Sequence, residues 1–140
     1  MPPHRAPKVV RDAGLADPSG FVPVDLLTLK TSLSNVYALG DVSSLKLPNG
    51  SPHPKAGVFA ESQAIAVASS ILSEITGSKP ANYTGNGTCF VDTGKEEASP
   101  AEAHLLASGG PNVILSPPSK EGLEGKKRFE RERFEKWFGK

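Results

Sequence analysis

Two short segments carry residues whose types and spacing could bind a ligand. The first, TSLSNVYALGD at residues 31–41, contains a short apolar run at residues 35–39 that ends in Gly40 and Asp41. In open α/β sheets, buried strands present ligand-binding groups at their carboxyl ends. A glycine at such a point lets the backbone approach a ligand, and the Asp41 carboxylate can accept hydrogen bonds from sugar-like hydroxyls. The spacing is also compatible with an aspartate that only caps a turn.

The second segment opens a long helix predicted over residues 56–76. Its first residues, preceded by Lys55, are Ala56, Gly57 and Val58. The first N–H groups of a helix have no partners within it, and together with the helix dipole they favour a negatively charged ligand. Because every helix has such an end and most bind nothing, the alternative is a purely structural helix start.

The first segment, with the valine that follows it, resembles a known cofactor motif. TSLSNVYALGDV is similar to the second flavin-binding motif of flavoproteins with two dinucleotide-binding domains, T-x-x-x-x-V-[YF]-A-x-G-D. The matching residues are Thr31, Val36, Tyr37, Ala38, Gly40 and Asp41. The resemblance implies that Asp41 hydrogen-bonds the ribityl chain or the nearby pyrophosphate of FAD, and that Gly40 permits the close approach.

The residues at the start of this helix resemble a smaller group within these flavoproteins. PKAGVFAESQA at residues 54–64 is similar to the sulfide:quinone oxidoreductases and to the flavoprotein subunit of flavocytochrome c sulfide dehydrogenase. The resemblance implies that the N–H groups of Ala56, Gly57 and Val58 face the isoalloxazine ring and favour negative charge on its reduced form. Lys55 would then be a charge partner of the reduced flavin or a solvated lysine. The resemblance extends to PPHRAPKVVRDAGL, GFVPVD, TLKTS and GTCFVDTG, and so to most of the chain.

Two further residues enter through the same resemblance. The related type II NADH dehydrogenases carry a quinone-contacting A-Q-x-x-x-Q-Q pattern at this helix; Gln63 matches its last glutamine, whereas Val58 replaces its first. Cys89 could be an inert strand cysteine. The sulfide-oxidising relatives use a pair of redox cysteines near the flavin, which makes Cys89 the candidate catalytic residue. The chain has one cysteine, so a disulfide within it is excluded.

The elements that must position these residues follow from the spacing of apolar residues. Pro52 and Pro54 stop a helix before residue 56, and Gly77 suits its C-cap. That helix is apolar nearly all round, which predicts burial. Residues 1–20 are expected to be irregular with one helical turn. Strands are predicted at 21–25 with a continuation to 31, at 35–39, 87–93, 102–107 and 112–115, and a charged helix at 120–138.

This pattern predicts an α/β fold. It consists of a partial FAD-binding Rossmann-like unit (strand, turn and long buried helix), a small β-rich C-terminal region and a terminal amphipathic helix. We divide it into residues 1–78, the C-terminal piece of the FAD-binding domain, 79–118, the β-rich region, and 119–140, the basic helix. The buried strand and helix lack covering partners, and no G-x-G-x-x-G follows a strand. The chain is therefore expected to be the end of a larger protein and to bind FAD weakly or not at all by itself.

The amino-acid composition excludes several classes of protein. A chain of 140 residues suits one modest domain, and 37% hydrophobic and 22% charged residues with a net charge of +1 exclude a disordered tail or a strongly nucleic-acid-seeking domain. No metal site is predicted, because one cysteine and three scattered histidines match no ligand spacing. No run of about 18 apolar residues predicts a membrane-spanning helix. The N-terminal Met1–Pro7 lacks the apolar core of a signal peptide. We expect a cytoplasmic protein.

The C-terminal tail differs from the rest of the chain. Residues 120–140 hold 8 basic and 5 acidic residues, net +3, while residues 1–119 are net −2. On a helix, Phe129, Phe134, Trp137 and Phe138 share one broad half. Basic residues with aromatic anchors suit a helix that lies in a membrane interface, so we expect peripheral membrane contact through these four residues. The alternatives are docking on the rest of the protein or on a second subunit.

The sequence thus predicts the C-terminal part of an FAD-dependent oxidoreductase of the pyridine nucleotide-disulfide class. The parent would pass two electrons from a small donor such as sulfide through FAD to a quinone or a cytochrome. The partners implied are that acceptor and the missing N-terminal half, and no nucleic acid. Two alternatives stay open: part of an NADH:quinone oxidoreductase in which Cys89 is structural, and a non-catalytic chain that binds a partner or a membrane through its tail.

Overall fold

The computed structural model describes residues 4–139. Residues 1–3 of the predicted irregular N-terminal segment, and residue 140 of the predicted basic tail, lie outside the described residues. The elements are α1 (Lys8–Asp12), β1 (Val22–Pro23), a 3-10 turn (Gly40–Val42), β2 (Ser43–Ser44), α2 (Gly57–Thr76), β3 (Asn86–Gly94), β4 (Glu97–His104), β5 (Asn112–Leu115) and α3 (Lys120–Phe138). Within residues 4–139 these form three helices and two sheets, β1-β2 and β3-β4-β5. The predicted α/β class is confirmed.

The strand predicted over residues 21–31 is much shorter than expected. β1 pairs in parallel with β2, Val22 opposite Ser43 and Pro23 opposite Ser44. It ends because the Asp25 carboxylate accepts hydrogen bonds from the N–H groups of Leu27 at 3.1 Å and Thr28 at 2.8 Å. A side chain that bonds nearby backbone groups in this way offers the chain an alternative to a strand ladder.

The buried strand predicted over residues 35–39 does not form. Tyr37 makes one isolated antiparallel bridge with Lys30, and Asn35 adopts a left-handed φ of 60°. A strand in a sheet needs a neighbour to complete its hydrogen bonds, and within residues 4–139 only the chain around Lys30 lies beside this segment. Tyr37 and Leu39 still pack against the core. The apolar run therefore marks partial burial, but not a strand.

α2 agrees with its predicted bounds. It begins after Ala56, whose extended backbone has φ −150° and ψ 148°. It ends at Gly77, which is left-handed at φ 72° and donates its N–H to the carbonyl of Ser73 at 2.8 Å. The prolines upstream and the glycine downstream act locally, so both ends follow from the sequence.

The predicted all-round burial of α2 is wrong for this chain. One face is buried, and its residues are Phe59, Gln63, Ala66, Val67 and Ser70. The opposite face is aliphatic and open: Ile65 is 58% exposed, Leu72 57% and Ile75 77%. The described residues supply only one layer for α2 to pack against, so only one side is covered. By length and composition α2 would also pass as a membrane span, with a mean hydropathy of 1.2, but core helices of soluble proteins share that property.

The second sheet holds the predicted C-terminal strands. β3 pairs antiparallel with β4 from Asn86–His104 to Gly94–Glu97, and β4 pairs antiparallel with β5 from Ala101–Leu115 to His104–Asn112. The strands predicted at 87–93 and 112–115 are confirmed. The one predicted at 102–107 begins at Glu97 instead, since a tight turn at residues 95 and 96 pairs it directly with β3.

α3 lies against β3 and β4 and has its predicted bounds. Its first turn is capped by the Ser119 hydroxyl, which accepts from the N–H of Gly122 at 2.9 Å. Gly122 is pressed onto the sheet: a Cβ at this position would lie 2.0 Å from the Ala98 carbonyl oxygen. The absence of a side chain at Gly122 therefore sets how closely α3 can approach β4.

Two buried clusters join these parts. One contains Leu29, Leu45, Ala66, Val67 and Tyr83, and the other Leu47, Phe59, Ala103 and Leu105. α2 contributes to both, and β4 contributes to the second. The predicted division at 78/79 and 118/119 stays a prediction, although elements from its first two parts share this core.

Candidate functional site

The Gly40–Asp41 turn is held against the first turns of α2. Gly40 has a left-handed φ of 67°, and its N–H donates to Oε1 of Gln63 at 2.6 Å. A Cβ on Gly40 would lie 3.4 Å from the Cβ of Ala60. Asp41 is exposed, and within residues 4–139 its carboxylate accepts no hydrogen bond. The turn therefore presents an exposed carboxylate from a fixed backbone.

Lys55 joins this turn to the segment that leads into α2. Its Nζ donates to the carbonyl oxygens of Asp41 and Ser43, each at 2.7 Å, and lies 4.0 Å from the centre of the Phe21 ring. Burial lowers the pKa of Lys55, while the charge of Asp41 acts in the opposite direction. Lys55 is an exposed residue whose ammonium group ties the turn to the segment before α2, and its role as a charge partner of a reduced flavin stays a prediction.

The N-terminus of α2 is open. Ala56 makes no side-chain cap, and the first turn holds no acidic residue. The N–H groups of Phe59 and Ala60 return to the carbonyl of Ala56, which leaves those of Gly57 and Val58 without acceptors in the described part of the chain. Nothing lies within 4 Å of a Cβ built on Gly57. The positive end of the helix dipole therefore faces open space.

Two depressions meet at this helix end. A small one is lined by Gly40, Asp41, Lys55, Ala56, His53 and Gln63, among others. A groove of about 450 Å³ on the other side is lined by Ala56, Gly57, Val58, Cys89, Phe129 and Trp137, among others. All seven predicted site residues thus surround the start of α2, and Ala56 borders both depressions. Their functional roles stay predictions.

Cys89 lies in the middle of β3 opposite Ala101 and is half-buried. Burial raises the pKa of its thiol, which keeps it protonated and weakly nucleophilic at neutral pH. It shares the groove with the helix start although 31 residues separate it from Val58 in sequence.

The tail forms one wall of the groove. Phe129 packs edge-on against Phe90 at 6.1 Å between ring centres, and the Arg133 guanidinium lies 3.8 Å above Phe129. Phe134, Trp137 and Phe138 are 52%, 58% and 63% exposed. The predicted aromatic face is therefore divided: Phe129 belongs to the fold, and the other three remain open.

An ion-pair cluster ties the tail to α2. Glu61 accepts from Lys136 Nζ at 2.7 Å and from Arg133 at 3.2 Å, and its side chain is 15% exposed. Hydrogen bonding from Lys136, together with the charge of Arg133, lowers the pKa of Glu61 against the effect of burial. The contact fixes the last turns of α3 above the groove.

The sequence analysis did not identify His53 or Tyr83 as residues near the site. It named Gln63 but did not predict its hydrogen bond with Gly40. Gln63 is 2% exposed, accepts from the Gly40 N–H and does not line the groove. The quinone contact that the NADH dehydrogenase pattern suggests for it stays a prediction. A signal existed for Gln63, since a buried glutamine needs a partner. No local signal pointed to His53 or Tyr83.

Comparison with known proteins agrees with the motifs. No protein-family model matches the chain. The fold is similar to that of the sulfide:quinone oxidoreductase from the hyperthermophilic bacterium Aquifex aeolicus, with a TM-score of 0.75 and 25% identity over 94% of this chain. The chain spans 32% of the length of that protein. The resemblance to the sulfide:quinone oxidoreductases is therefore confirmed for the fold, as a part of such a protein.

Proposed function

We propose that this chain forms the isoalloxazine- and ribityl-binding side of an FAD-dependent oxidoreductase. One observation carries the proposal: the exposed Asp41 carboxylate, which accepts no hydrogen bond within residues 4–139, borders one depression with Ala56, and Ala56 also borders the groove that the uncapped residues Gly57 and Val58 line. The Nζ of Lys55 bonds the Asp41 carbonyl and so joins the turn to the helix start. A carboxylate that can accept from hydroxyls lies beside N–H groups that can donate to an electron-rich ring. The similarity to a sulfide:quinone oxidoreductase gives this arrangement its chemical context.

The residues present fit part of the cofactor. Asp41 would hold the ribityl hydroxyls, and the N–H groups of Gly57 and Val58 would face the ring, where nothing within 4 Å of a Cβ on Gly57 obstructs an approach. Bound FAD would accept two electrons from a donor and release them to an acceptor. The helix start would stabilise negative charge that develops on the ring. Lys55 would keep the Asp41 backbone in place and add positive charge nearby.

The groove beside the helix start is proposed as the place of the second substrate. It is mainly apolar, and Val58, Phe129 and Trp137 are among the residues that line it. A quinone, which is flat and apolar, suits these walls better than a small inorganic donor. A cytochrome acceptor would instead meet the protein at the exposed end of the tail. Cys89 opens into the same groove and is the candidate to contact a sulfur donor, with its redox partner on another chain.

The remaining partner is the other part of the flavoprotein. The open aliphatic face of α2 would pack on the sheet of a dinucleotide-binding unit, and the unmatched length of the similar oxidoreductase leaves room for one. Burial of three aliphatic side chains there would contribute several kcal/mol, at about 1.5–3 kcal/mol each. The isolated chain is accordingly proposed to be inactive.

The experiment uses flavin mononucleotide, which has the ring and the ribityl chain but no adenine. This chain would supply only one side of the site and should bind flavin weakly, so FMN is added in large excess over the ¹⁵N-labelled chain. It should then shift the amide signals of Gly40, Asp41, Gly57 and Val58. Asp41→Ala should weaken binding about tenfold, since a hydrogen bond to a charged group contributes about 1.5 kcal/mol or more. Asp12→Ala removes another exposed aspartate, in α1, and should leave binding unchanged. If FMN shifts none of the four amides, this proposal is wrong.

The tail is proposed to hold the protein at the cytoplasmic face of a membrane. Support comes from the exposure of Phe134, Trp137 and Phe138 beside basic residues. In a flotation assay with vesicles of phosphatidylcholine and phosphatidylglycerol, the chain should float, and the triple alanine variant of these residues should not. Val9→Ala/Leu33→Ala, which also trims exposed aliphatic residues, serves as the control. Equal flotation of the triple variant and the native chain would exclude this membrane role.

A further inference from the structure

A further depression, the Arg5 cleft, borders Asp41 and is formed in part by the N-terminal segment. It has a volume of about 470 Å³, and its titratable lining residues are His4, Arg5, Asp41 and Lys55. Asp41 and Lys55 also line the small depression that Ala56 borders. The two depressions therefore meet at the Gly40–Asp41 turn, and a ligand held at Asp41 has room on both sides of it.

The backbone beside Arg5 is fixed in the fold. The N–H of Ala6 donates to the carbonyl oxygen of Gly20 at 2.7 Å, and Ala6 is 3% exposed. The Arg5 side chain begins against Gly20, since a Cβ built on Gly20 would lie 3.1 Å from the Cγ of Arg5. Gly20 has a left-handed φ of 84°, which a residue with a side chain rarely adopts. Arg5 therefore borders the cleft from a defined backbone position.

The charge of Arg5 has no partner in the described part of the chain. Within residues 4–139 its guanidinium makes no hydrogen bond and no ion pair. Arg133 is different, because it bonds the Glu61 carboxylate at 3.2 Å and lies over the Phe129 ring. A guanidinium presents its N–H donors in a planar fork that matches the oxygens of a phosphate. Arg5 thus has the donors for an anionic ligand and a cleft beside it.

The other charged groups decide where in the cleft an anion would lie. The Nζ of Lys55 donates to the carbonyl oxygens of Asp41 and Ser43, and its positive charge adds to that of Arg5. The Asp41 carboxylate repels an anion but can accept from hydroxyl groups. An anion would therefore lie toward Arg5, and hydroxyls would lie at Asp41. Hydroxyls followed by an anion is the order of the ribityl chain and the phosphate in FMN and FAD.

We propose that Arg5 binds the phosphate group next to the ribityl chain of the flavin, in the cleft that it shares with Asp41 and Lys55. The inference rests on the proposed function, which places the ribityl hydroxyls at Asp41. It adds a specificity: the site takes a phosphorylated flavin, FMN or FAD, in preference to riboflavin. Riboflavin has the same ring and ribityl chain and lacks the phosphate.

The test compares two arginine variants in FMN titrations of the ¹⁵N-labelled chain. Arg5→Gln removes the charge at the cleft, and Arg11→Gln removes an exposed arginine of α1 that does not line it. Arg5→Gln should bind FMN about tenfold more weakly than the native chain, because a hydrogen bond to a charged group is lost. Arg5→Lys keeps the charge without the fork and should have an intermediate affinity. Arg11→Gln should bind as the native chain does. Equal affinities of Arg5→Gln and the native chain would overturn the inference.

Riboflavin separates a phosphate contact from a structural effect of Arg5. The native chain should bind riboflavin about tenfold more weakly than FMN, whereas Arg5→Gln should bind the two flavins equally. The Nε–H signal of Arg5 should shift with FMN and stay unchanged with riboflavin. If Arg5→Gln still prefers FMN to riboflavin as strongly as the native chain, or if FMN leaves the Nε–H signal of Arg5 unchanged, Arg5 does not bind the phosphate.

Inorganic pyrophosphate keeps this inference apart from the proposed function. It offers phosphate groups without a ring or a ribityl chain, and it should shift the Nε–H signal of Arg5 in the native chain. If FMN shifts none of the amides of Gly40, Asp41, Gly57 and Val58 while pyrophosphate shifts the Arg5 signal, the flavin assignment fails and the phosphate site stands. If FMN shifts those amides and Arg5→Gln binds FMN as tightly as the native chain, the flavin assignment stands and the role of Arg5 is refuted.

Discussion

The two long helices of this chain begin in opposite ways. α3 starts with a hydroxyl cap from Ser119, which accepts from the Gly122 N–H, and has Glu121 in its first turn, where its negative charge suits the helix dipole. α2 starts at Ala56 with no side-chain cap and no acidic residue in its first turn. A serine cap contributes about 1 kcal/mol, so its absence is a cost to the isolated fold. The α3 start has a stabilising cap that the α2 start lacks, and the proposed flavin would use the N–H groups that this leaves free.

The largest expected change in the free energy of unfolding concerns the packing of α3 against β4. Gly122→Ala should lower the free energy of unfolding by about 3 kcal/mol, because the new methyl group would overlap the Ala98 carbonyl and force α3 off the sheet. Urea unfolding followed by circular dichroism measures the loss. Gly109→Ala is the control, since nothing lies within 4 Å of a Cβ there. Equal stabilities of the two variants would contradict the close approach of α3 to β4.

Removing the cap of α3 tests one side of the comparison. Ser119→Ala should lower the free energy of unfolding by about 1 kcal/mol, because the Gly122 N–H loses its acceptor. The same urea experiment measures it, with the exposed Ser78→Ala variant as the control. A loss well below that value would mean that α3 gains little from its cap.

The point where the two helices meet should show a pH dependence. The folded-state pKa of Glu61 lies below its usual 4.5, because Lys136 and Arg133 hold its charged form. Stability from this contact is therefore complete above pH 4.5 and disappears as the pH falls through the folded pKa. Glu61→Gln should cost about 1 kcal/mol at pH 7, and the difference from the native chain should shrink below pH 4.5.

Urea unfolding at several pH values measures that difference. Glu96→Gln, in the exposed β3–β4 turn, is the control and should differ little from the native chain at any pH. A Glu61→Gln cost that stays constant from pH 7 to pH 3 would show that the charge of Glu61 does not hold the tail.

The smallest effect tests the other side of the comparison. Ala56→Ser supplies α2 with the cap it lacks and should raise the free energy of unfolding by about 0.5 kcal/mol, since the Ala56 backbone is already extended as a cap requires. The hydroxyl would occupy an N–H group that the proposed flavin needs, so FMN binding should weaken while stability rises. A variant that is more stable and binds FMN as well as the native chain would refute the ligand interpretation.

Local signals explain what the sequence predicted of the fold. The ends of α2 depend on prolines and a glycine within a few residues, and those of α3 on Ser119 and on the left-handed Gly139. β3 and β5 are short runs with turn residues on both sides. The strand expected over residues 35–39 does not form, because a strand must pair with a neighbouring strand. That neighbour comes from residues far away in the sequence, which local patterns do not reveal. Burial of α2 was overestimated for the same reason.

The sequence predicted those site residues that belong to one contiguous motif. It did not predict residues that come together only when the chain folds. Asp41 and the start of α2 lie within one stretch of sequence and match a known pattern. Tyr83 reaches His53 over 30 residues, and Arg133 reaches Glu61 over 72. Such pairs have no spacing rule, because the intervening loops determine which side chains meet.

The single tryptophan of the chain has an optical consequence. Trp137 borders the groove, and a flavin absorbs light in the range where tryptophan emits. Energy transfer over this short separation would quench the emission of Trp137 whenever a flavin or a quinone enters, without any attached label. Because the tail carries this residue on the groove wall, its detachment would also change the emission. The chain therefore contains its own fluorescent reporter for both events.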